Sequence, residues 1–342
     1  MFDLEKLVRE NIKRHASYSC ARDDYKGREG IFLDANENPY GDMNRYPDPY
    51  QWELKTEICK IKNTKSDELF LGNGSDEIID LAFRIFCVPG KDKVMIFPPT
   101  YGMYEVSASV NDIGVIKVPL TEDYQVNVEA AEKYFSDPGL KIIFICSPNN
   151  PTGNCMSASD IEYVVSHFKG IVLIDEAYSD FSEKPSLLGK IRQYPNLIVM
   201  KTFSKAMALA SVRIGMAFSN PGIIQYFNRI KPPYNISMIN QVTAMKKLAD
   251  RNTVVSQVQA IKSERRRLRK ELESIDAVRF IYPSDSNFLL VKVADADSLY
   301  KYLTGKGIIV RNRSAVAENC LRITVGTVDE NNRLIEELKN MQ

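Results

Sequence analysis

Apolar and polar positions alternate along the middle of the chain in a regular way. Short runs of β-branched and other apolar residues are each followed by a longer segment whose apolar residues recur at helical spacing. This pattern predicts βα units on a largely parallel sheet, and therefore an α/β fold. The predicted strands are Glu68–Leu71, Lys93–Phe97, Gly114–Val118, Lys141–Cys146, Ile171–Ile174, Leu197–Met200 and Ile214–Phe218.

Amphipathic segments between these strands predict helices that cover the sheet. At the N-terminus, Met1–Lys13 mixes charged and apolar residues and predicts one amphipathic helix. The other predicted helices are Ser75–Phe86, Tyr101–Val110, Val126–Phe135, Ala158–Phe168 and Pro221–Ile230, then longer ones from about Ser237 to Asp250 and from Thr253 to Ile275.

The pattern changes after Arg279. Alternating strands at Phe288–Val293 and Leu321–Val325, with helices at Ala296–Lys306 and Asp329–Met341, predict a small α+β unit. We therefore expect three parts. They are an N-terminal arm with part of a small domain (1–40), a large domain on a mostly parallel seven-stranded sheet (41–260) and a small C-terminal domain (261–342).

Composition excludes several classes of protein. Lys+Arg 45 against Asp+Glu 44 gives a net charge of +1, so no overall field attracts nucleic acid or an anionic membrane. No apolar run approaches the ~20 residues that span a bilayer, and a cytoplasmic location is expected. The 6 cysteines show no CxxC spacing and the chain has 2 histidines, which argues against a zinc site.

Lys205 carries the most specific chemical signal. It ends the run Thr202-Phe203-Ser204-Lys205 after an apolar strand, and Arg213 follows eight positions later. A lysine at the end of a buried strand can form a Schiff base with a phosphorylated aldehyde cofactor. The neighbouring hydroxyls and the guanidinium would then bind its phosphate.

Two further turns offer groups for the same cofactor. Gly74, Ser75 and Asp76 lie between a strand and a helix, where free N–H groups and the helix dipole favour an anion. Tyr101 follows another strand and could stack on a flat ring. Taken singly, the first is an ordinary N-capped turn and the second a core tyrosine.

Polar groups follow the next two strands as well. Asn150, in Ser147–Gly153, places an amide at the carboxyl end of a strand, where open α/β sheets bind ligands. Asp175 could keep a pyridinium nitrogen protonated, and Tyr178 could donate to a phenolic oxygen. Because these groups follow successive strands in order, we interpret them as one site.

With these motifs, the chain resembles the fold-type I aminotransferases that depend on pyridoxal 5′-phosphate (PLP), and among them the histidinol-phosphate aminotransferase family. The resemblance runs from about Val8 to Leu338. It rests most specifically on the Asn-Glu-Asn-Pro and Asn-Arg-Tyr-Pro elements. The segments that carry it are Leu33–Gly41, Asn44–Pro47, Ser147–Gly153, Lys231–Asn235 and Leu321–Thr327.

The resemblance implies a role for each cofactor-binding residue. Lys205 holds PLP as a covalent aldimine and moves the proton, and Asp175 pairs with the ring nitrogen. Asn150 and Tyr178 hold the phenolic oxygen, and Tyr101 stacks on the ring. The phosphate is expected among Gly74, Ser75, Asp76, Thr202, Ser204 and Arg213. Tyr46 is expected to reach the site of the neighbouring subunit, which implies a homodimer.

The same resemblance implies a substrate pocket and a reaction. The pocket residues are Tyr18, Asn36, Tyr234, Asn287, Arg311 and Arg322. Guanidinium groups fork onto phosphate or carboxylate, so one site could accept histidinol phosphate and glutamate. The implied reaction is transamination between L-histidinol phosphate and 2-oxoglutarate in histidine biosynthesis. Arg311 and Arg313 flank Asn312, and one of them is expected to be merely solvated.

Other functions stay open at this point. The nearest alternatives are an aromatic-amino-acid aminotransferase and a threonine-phosphate decarboxylase. A PLP-binding regulator would need a DNA-binding module, and only about 30 residues precede Leu33. A nucleotide-dependent oxidoreductase would need a third glycine in the turn Gly72–Glu77. Met207 and Ser211 also depart from the family pattern, on the packing and substrate side.

Overall fold

Seven strands form the main sheet of the computed structural model, which describes residues 2–16 and 30–341. The spatial order is β1-β7-β6-β5-β4-β2-β3, and β7 alone runs antiparallel to its neighbours. The predicted mostly parallel sheet of seven strands is confirmed. The strands are β1 (Leu69–Asn73), β2 (Lys93–Ile96), β3 (Gly114–Lys117), β4 (Leu140–Cys146), β5 (Ile171–Asp175), β6 (Leu197–Thr202) and β7 (Ile214–Ser219).

Helices cover both faces of this sheet. Because side chains alternate along a strand, Phe70 and Leu71 enter two different apolar cores, one on each face. The helices are α1 (Leu4–Leu7), α2 (Glu10–Arg14), α3 (Trp52–Lys62), α4 (Gly74–Phe86), α5 (Met103–Val110), α6 (Val128–Glu132), α7 (Ala158–His167), α8 (Pro221–Ile230), α9 (Met238–Ala249), α10 (Arg251–Leu272), α11 (Ala296–Gly305) and α12 (Val328–Lys339).

A second, antiparallel sheet follows α10. Its strands are β8 (Val278–Ile281), β9 (Phe288–Val293), β10 (Arg311–Asn312) and β11 (Cys320–Thr324), in the order β10-β11-β9-β8. Leu268 and Leu272 at the end of α10 share its core, whereas Val254 and Val258 near the start of α10 pack with Tyr178. The predicted domain boundary at 260/261 therefore falls inside one helix, and the domain division stays a prediction.

The single N-terminal helix predicted for Met1–Lys13 is wrong. The backbone is extended at Val8 and Arg9, which separates α1 from α2. This break lets the Arg9 N–H donate to Ile85 O at 2.9 Å and the Arg9 guanidinium donate to Arg84 O at 3.0 Å. These carbonyls belong to the last turn of α4 and have no partner within the helix. The two hydrogen bonds from Arg9 therefore stabilise the break more than one further turn of N-terminal helix would.

Strands and helices of mixed polarity cannot be recognised from the pattern of apolar and polar positions. The prediction missed α3, β8 and the two-residue strand β10.

Within the described ranges, no helix combines the length and apolar character needed to cross a membrane. The described cysteines are free and buried.

The β1–α4 turn depends on a glycine in the neighbouring strand. A Cβ at Gly215 would lie 2.5 Å from both the Gly74 carbonyl carbon and the Ser75 nitrogen. We predict that Gly215→Ala forces this turn away from β7 and destabilises the fold by about 1–3 kcal/mol, as overpacking does. Thermal and urea unfolding would measure the change.

Gly189→Ala is the matched control, because a Cβ there meets nothing within 4 Å. Equal unfolding curves for the two variants would show that β7 does not constrain the turn.

Candidate active site

The carboxyl ends of three parallel strands and the start of α4 enclose one cavity. Strands β4, β5 and β6 contribute from the sheet, as expected for ligand sites in open α/β folds. Ten of the predicted cofactor residues line the cavity, together with Cys146, Ala177 and Ala210. The ten are Ser75, Asp76, Tyr101, Asn150, Asp175, Tyr178, Thr202, Ser204, Lys205 and Arg213.

A cradle for an anion lies at the start of α4. Gly74 adopts φ +75°, and a Cβ there would lie 2.6 Å from the Arg213 guanidinium, so glycine is required for this close approach. The Gly74 N–H donates to Arg213 O at 2.9 Å. The first N–H groups of α4, at Ser75 and Asp76, have no partner inside the helix and favour a negative group.

Arg213 reaches across this cradle. Its guanidinium donates to Ser204 Oγ at 3.4 Å and to Asp76 Oδ2 at 3.3 Å. Ser204 in turn accepts from the Thr202 hydroxyl at 3.0 Å. The cradle thus combines hydroxyl donors, helix N–H groups and one guanidinium, whose charge Asp76 partly balances.

The loop after β4 is fixed by Asn149, which frees Asn150 for the cavity. Asn149 Oδ1 accepts from the Thr100 hydroxyl at 2.9 Å, and its amide donates to Thr152 Oγ1 at 2.8 Å. Asn150 Oδ1 accepts from the Arg322 guanidinium at 2.5 Å. Its amide nitrogen is therefore the group that Asn150 can donate to a ligand.

Asp175 ends β5 and is fully enclosed. Its Oδ2 accepts from the Tyr104 hydroxyl at 2.7 Å, and its Oδ1 accepts from the Ala177 N–H at 3.0 Å. Burial raises the pKa of Asp175 to about 6, and the Tyr104 hydrogen bond opposes that rise. The carboxylate can therefore be stabilised further by a cationic partner in the cavity.

Lys205 lines the same cavity as Asp175. Burial, then the nearby Arg322 guanidinium, lowers the pKa of the Lys205 amine. Its Nζ lies 5.4 Å from the centre of the Tyr178 ring. Burial raises the pKa of the Tyr178 hydroxyl, so that hydroxyl stays protonated and can donate a hydrogen bond.

Tyr101 lies at the side of the cavity. Its hydroxyl donates to Asp76 Oδ1 at 3.3 Å, and its ring meets Tyr104 edge-on at 5.5 Å. Tyr104 therefore contacts both the predicted stacking residue and the buried carboxylate.

A buried ion pair supports the turn that follows Asp175. Glu176 and Lys201 form it at 2.8 Å, with both side chains 4% exposed. Glu176 also accepts from the Leu187 N–H at 2.7 Å and from the Ser186 hydroxyl, and Lys201 donates to the Ser179 hydroxyl. Because these hydrogen bonds satisfy both buried charges, the ion pair fixes the backbone between Asp175 and Tyr178.

The predicted substrate residues do not all reach this cavity. Arg322 is not part of the lining, but it donates to Asn150, which is. Arg311 is exposed on β10, directly opposite Arg322 in the antiparallel register. Arg313 is more buried than Arg311, so the two arginines differ in their contact with solvent. That one of them is merely solvated stays a prediction. The Asn287 carbonyl accepts from the Val325 N–H at 2.9 Å, and its side chain does not line the cavity.

Of the residues predicted from the N-terminal segment, Asn36 and Tyr46 lie outside the cavity lining. Tyr46 stacks on Tyr234 of the same chain, with ring centroids 4.4 Å apart and planes 15° apart. Its backbone N–H donates to Glu37 Oε1 at 2.6 Å. Asn36 is exposed, with φ 53°. Tyr18 lies outside the described residues.

The sequence argument missed one central residue, Tyr104. Tyr101 and Tyr104 are three positions apart, and the second begins the buried face of α5. That spacing was visible in the sequence. The partner of Tyr104 was not, because Asp175 is 71 positions away along the chain.

The model of the family "Aminotransferase class I and II" matches residues 30–338. Histidinol-phosphate aminotransferases of Bacteroides thetaiotaomicron and Cytophaga hutchinsonii are 50% and 48% identical to the chain, over 100% and 99% of both chains. The histidinol-phosphate aminotransferase of Sinorhizobium meliloti, solved with pyridoxal-5′-phosphate, has a TM-score of 0.78 at 23% identity and shares the fold. Their aligned regions cover 88% of this chain and 85% of that one. The chain belongs to the class I and II aminotransferase family, in which it groups with the histidinol-phosphate aminotransferases.

Proposed function

We propose that the chain is a PLP-dependent enzyme that transfers an amino group between L-histidinol phosphate and 2-oxoglutarate, giving imidazole-acetol phosphate and L-glutamate. The observation that carries this is one cavity lined by both Lys205, whose amine has a lowered pKa, and the buried carboxylate of Asp175. Arg322 donates to Asn150, which lines the same cavity. The names of its relatives support the substrate. A biosynthetic role of this kind fits the expected cytoplasmic location.

The residues present fit PLP. The cradle at Gly74, which a Cβ would fill, would hold the phosphate with Arg213 and the hydroxyls of Thr202 and Ser204. Asp175 would pair with the ring nitrogen, Asn150 and Tyr178 would donate to the phenolic oxygen, and Tyr101 would stack on the ring. Lys205 would hold the cofactor covalently through its amine. When bound, PLP supplies an electron sink for the bond broken at the substrate carbon.

Lys205 is suited to move the proton that leaves the substrate carbon when this bond breaks. Its lowered pKa increases the share of free amine near neutral pH, and only the free amine can accept a proton. Tyr178 beside it stays protonated, so it donates without competing for the same proton. Asp175 holds its charge because Tyr104 and Ala177 donate to its two oxygens.

We further propose a homodimer. Apolar side chains of residues 30–46 are unusually exposed, with Ile31 90%, Leu33 89% and Tyr40 84% accessible. Exposed apolar surface of this kind is typical of an interface. Tyr46, in the same segment, is held by Glu37 and stacked on Tyr234, apart from the lining of its own cavity. A second copy would cover this segment and receive Tyr46.

The first test is a half-reaction. Purified PLP-loaded protein is mixed separately with histidinol phosphate, phenylalanine and O-phosphothreonine, and the visible band of the cofactor is followed. We expect rapid loss of the band with histidinol phosphate at low concentration and much slower loss with phenylalanine. Lys205→Ala is the control and should show no steady turnover. Preference for phenylalanine, or carbon dioxide from phosphothreonine, would contradict the proposal.

Tyr104→Phe tests how the Asp175 charge is maintained. A hydrogen bond to the ionised form lowers the pKa of an acid, so loss of the hydroxyl should raise the pKa of Asp175 above about 6. We expect the acid limb of the kcat profile to move to higher pH and kcat to fall about tenfold, with little change in KM. Nitrogen-15 NMR of ring-labelled PLP should show a less protonated ring nitrogen.

Tyr226→Phe is the matched control for the Tyr104 variant. It also removes a buried hydroxyl that donates to a carboxylate, Glu5 Oε1, at 2.7 Å, but outside the cavity lining. If Tyr104→Phe lowers only the melting temperature, as this control would, Tyr104 is a packing residue.

Mixed dimers test the place of Tyr46. Tyr46→Ala and Lys205→Ala homodimers should each have little activity. If Tyr46 serves the partner's site, mixing the two chains under subunit exchange should restore about a quarter of wild-type activity, because a hybrid has one complete site. Absence of rescue, with hybrids confirmed by mass, would show that Tyr46 acts within its own chain.

A further inference from the structure

The cavity contains a buried thiol that none of the proposed roles uses. Of the described residues that line it, Cys146, Ala177 and Ala210 are the three without a proposed role. The Ala177 N–H donates to Asp175 Oδ1, so Ala177 belongs to the Asp175 end of the cavity. The Ala210 carbonyl accepts from Arg213, so Ala210 belongs to the anion cradle. Cys146 remains as the lining side chain whose place has to be explained.

Cys146 lies between the two groups proposed to hold the edge of the ring. It ends β4 and is paired in register with Asp175, which ends β5. Paired residues of neighbouring strands share one face of the sheet and lie about 4.8 Å apart, the spacing between strands. The backbone N–H of Asn150, four positions along the chain, lies within hydrogen-bonding reach of the Cys146 sulfur. The wall between Asp175 and Asn150 is therefore formed by Cys146.

The Cys146 side chain presents a neutral sulfur to the cavity. Burial raises the pKa of the thiol, so the thiol stays protonated. Its single proton is directed to Pro148 O, 3.4 Å from the sulfur. A buried thiol of this kind behaves as a small, polarisable apolar group. This part of the cavity wall is thus suited to an apolar substituent of a ligand.

PLP carries an apolar substituent at the matching place. Its 2-methyl group stands on the ring carbon between the nitrogen and the carbon that bears the phenolic oxygen. A ring whose nitrogen meets Asp175 and whose phenolic oxygen meets Asn150 directs this methyl group towards the wall between them. On the basis of the proposed function, we infer that Cys146 is a positioning residue, whose sulfur packs against the 2-methyl group and fixes the orientation of the ring in its plane.

A third contact on this edge of the ring matters because hydrogen bonds tolerate a range of angles. Two such bonds, at the ring nitrogen and at the phenolic oxygen, leave the ring free to turn slightly in its own plane. A close-packed contact between them restricts that turn, since packed surfaces tolerate little change in volume. Cysteine suits the position because it is apolar and carries a single heavy atom beyond Cβ. Serine has a similar shape but would place a hydroxyl against the methyl group.

The test combines Cys146 variants with two cofactors, PLP and 2-norPLP, in which hydrogen replaces the 2-methyl group. Apo-protein is titrated with each cofactor, and binding is followed by the visible band and by quenching of protein fluorescence. We expect wild-type protein to bind PLP about fourfold more tightly than 2-norPLP, the effect of burying one methyl group. Cys146→Ala should reduce this preference to less than about twofold, because it removes the surface on which the methyl group packs.

Cys146→Val makes the opposite change. Its additional methyl group would overlap the 2-methyl group of PLP but would fit the space that 2-norPLP leaves. We expect the affinity for PLP to fall about tenfold, as overpacking does, while that for 2-norPLP changes less than about twofold. The preference between the two cofactors is then reversed, which a general loss of stability would not produce. If Cys146→Val does not fold, Cys146→Ala decides alone.

Cys87→Ala is the matched control. Cys87 is buried like Cys146, but it caps the end of α4 that lies away from the cradle and is outside the cavity lining. This variant should lower the melting temperature and leave the cofactor preference unchanged.

Equal affinity of the wild type for the two cofactors would overturn the role of Cys146, as would a preference that the Cys146 variants leave unchanged. Wild-type protein that shows the expected preference but transfers no amino group would contradict the proposed function and leave the role of Cys146 supported. Wild-type protein that binds neither cofactor would overturn both.

Discussion

The buried carboxylate of Asp175 is the charge on which the cavity depends. A carboxylate removed from water loses several kcal/mol of hydration unless hydrogen bonds and an opposite charge replace it. Tyr104 and Ala177 replace part of this hydration, one on each oxygen. The remaining deficit is visible in the raised pKa of Asp175, and a cationic ring nitrogen would remove it. The affinity for such a ring thus follows from how the carboxylate is buried.

The surrounding structure serves to keep that carboxylate in place. β5 is buried along its whole length, so Asp175 cannot turn towards solvent. The Glu176–Lys201 pair fixes the following turn, and removing either partner would leave an unpaired buried charge. Tyr104 packs between Phe144, which stacks on it at 4.8 Å, and Tyr101. The contact with Phe144 joins α5 to β4, the strand next to Asp175 in the sheet. Tyr104 therefore contacts both Asp175, the proposed partner of the ring nitrogen, and Tyr101, the residue proposed to stack on the ring.

Local patterns were enough to predict the main sheet and to select ten residues that line one cavity. Buried parallel strands read as apolar runs, and the polar residues after them meet at one edge because the strands run in the same direction. Residues whose position depends on contacts distant in sequence could not be predicted in this way. Tyr104 meets Asp175 across the core, and the break at Val8 and Arg9 exists because α4 ends beside it. The proposed substrate side depends on the register of a two-residue strand, which is too short to show a periodic pattern.

The two ends of the site differ in how their charges are balanced. At the proposed cofactor end, Asp76 accepts from Arg213, so part of the positive charge there is already neutralised. An anion at that end gains mainly from directed donors, namely the helix N–H groups and the hydroxyls of Thr202 and Ser204. At the proposed substrate end, Arg311, Arg313 and Arg322 have no such carboxylate among the described residues. A balanced cradle suits a cofactor that stays bound, because fixed geometry selects it. An unbalanced face suits a substrate that binds and dissociates in each cycle, because binding of an anion relieves the repulsion between the arginines and its release restores that repulsion. The electrostatic free energy of binding increases with the charge of the ligand.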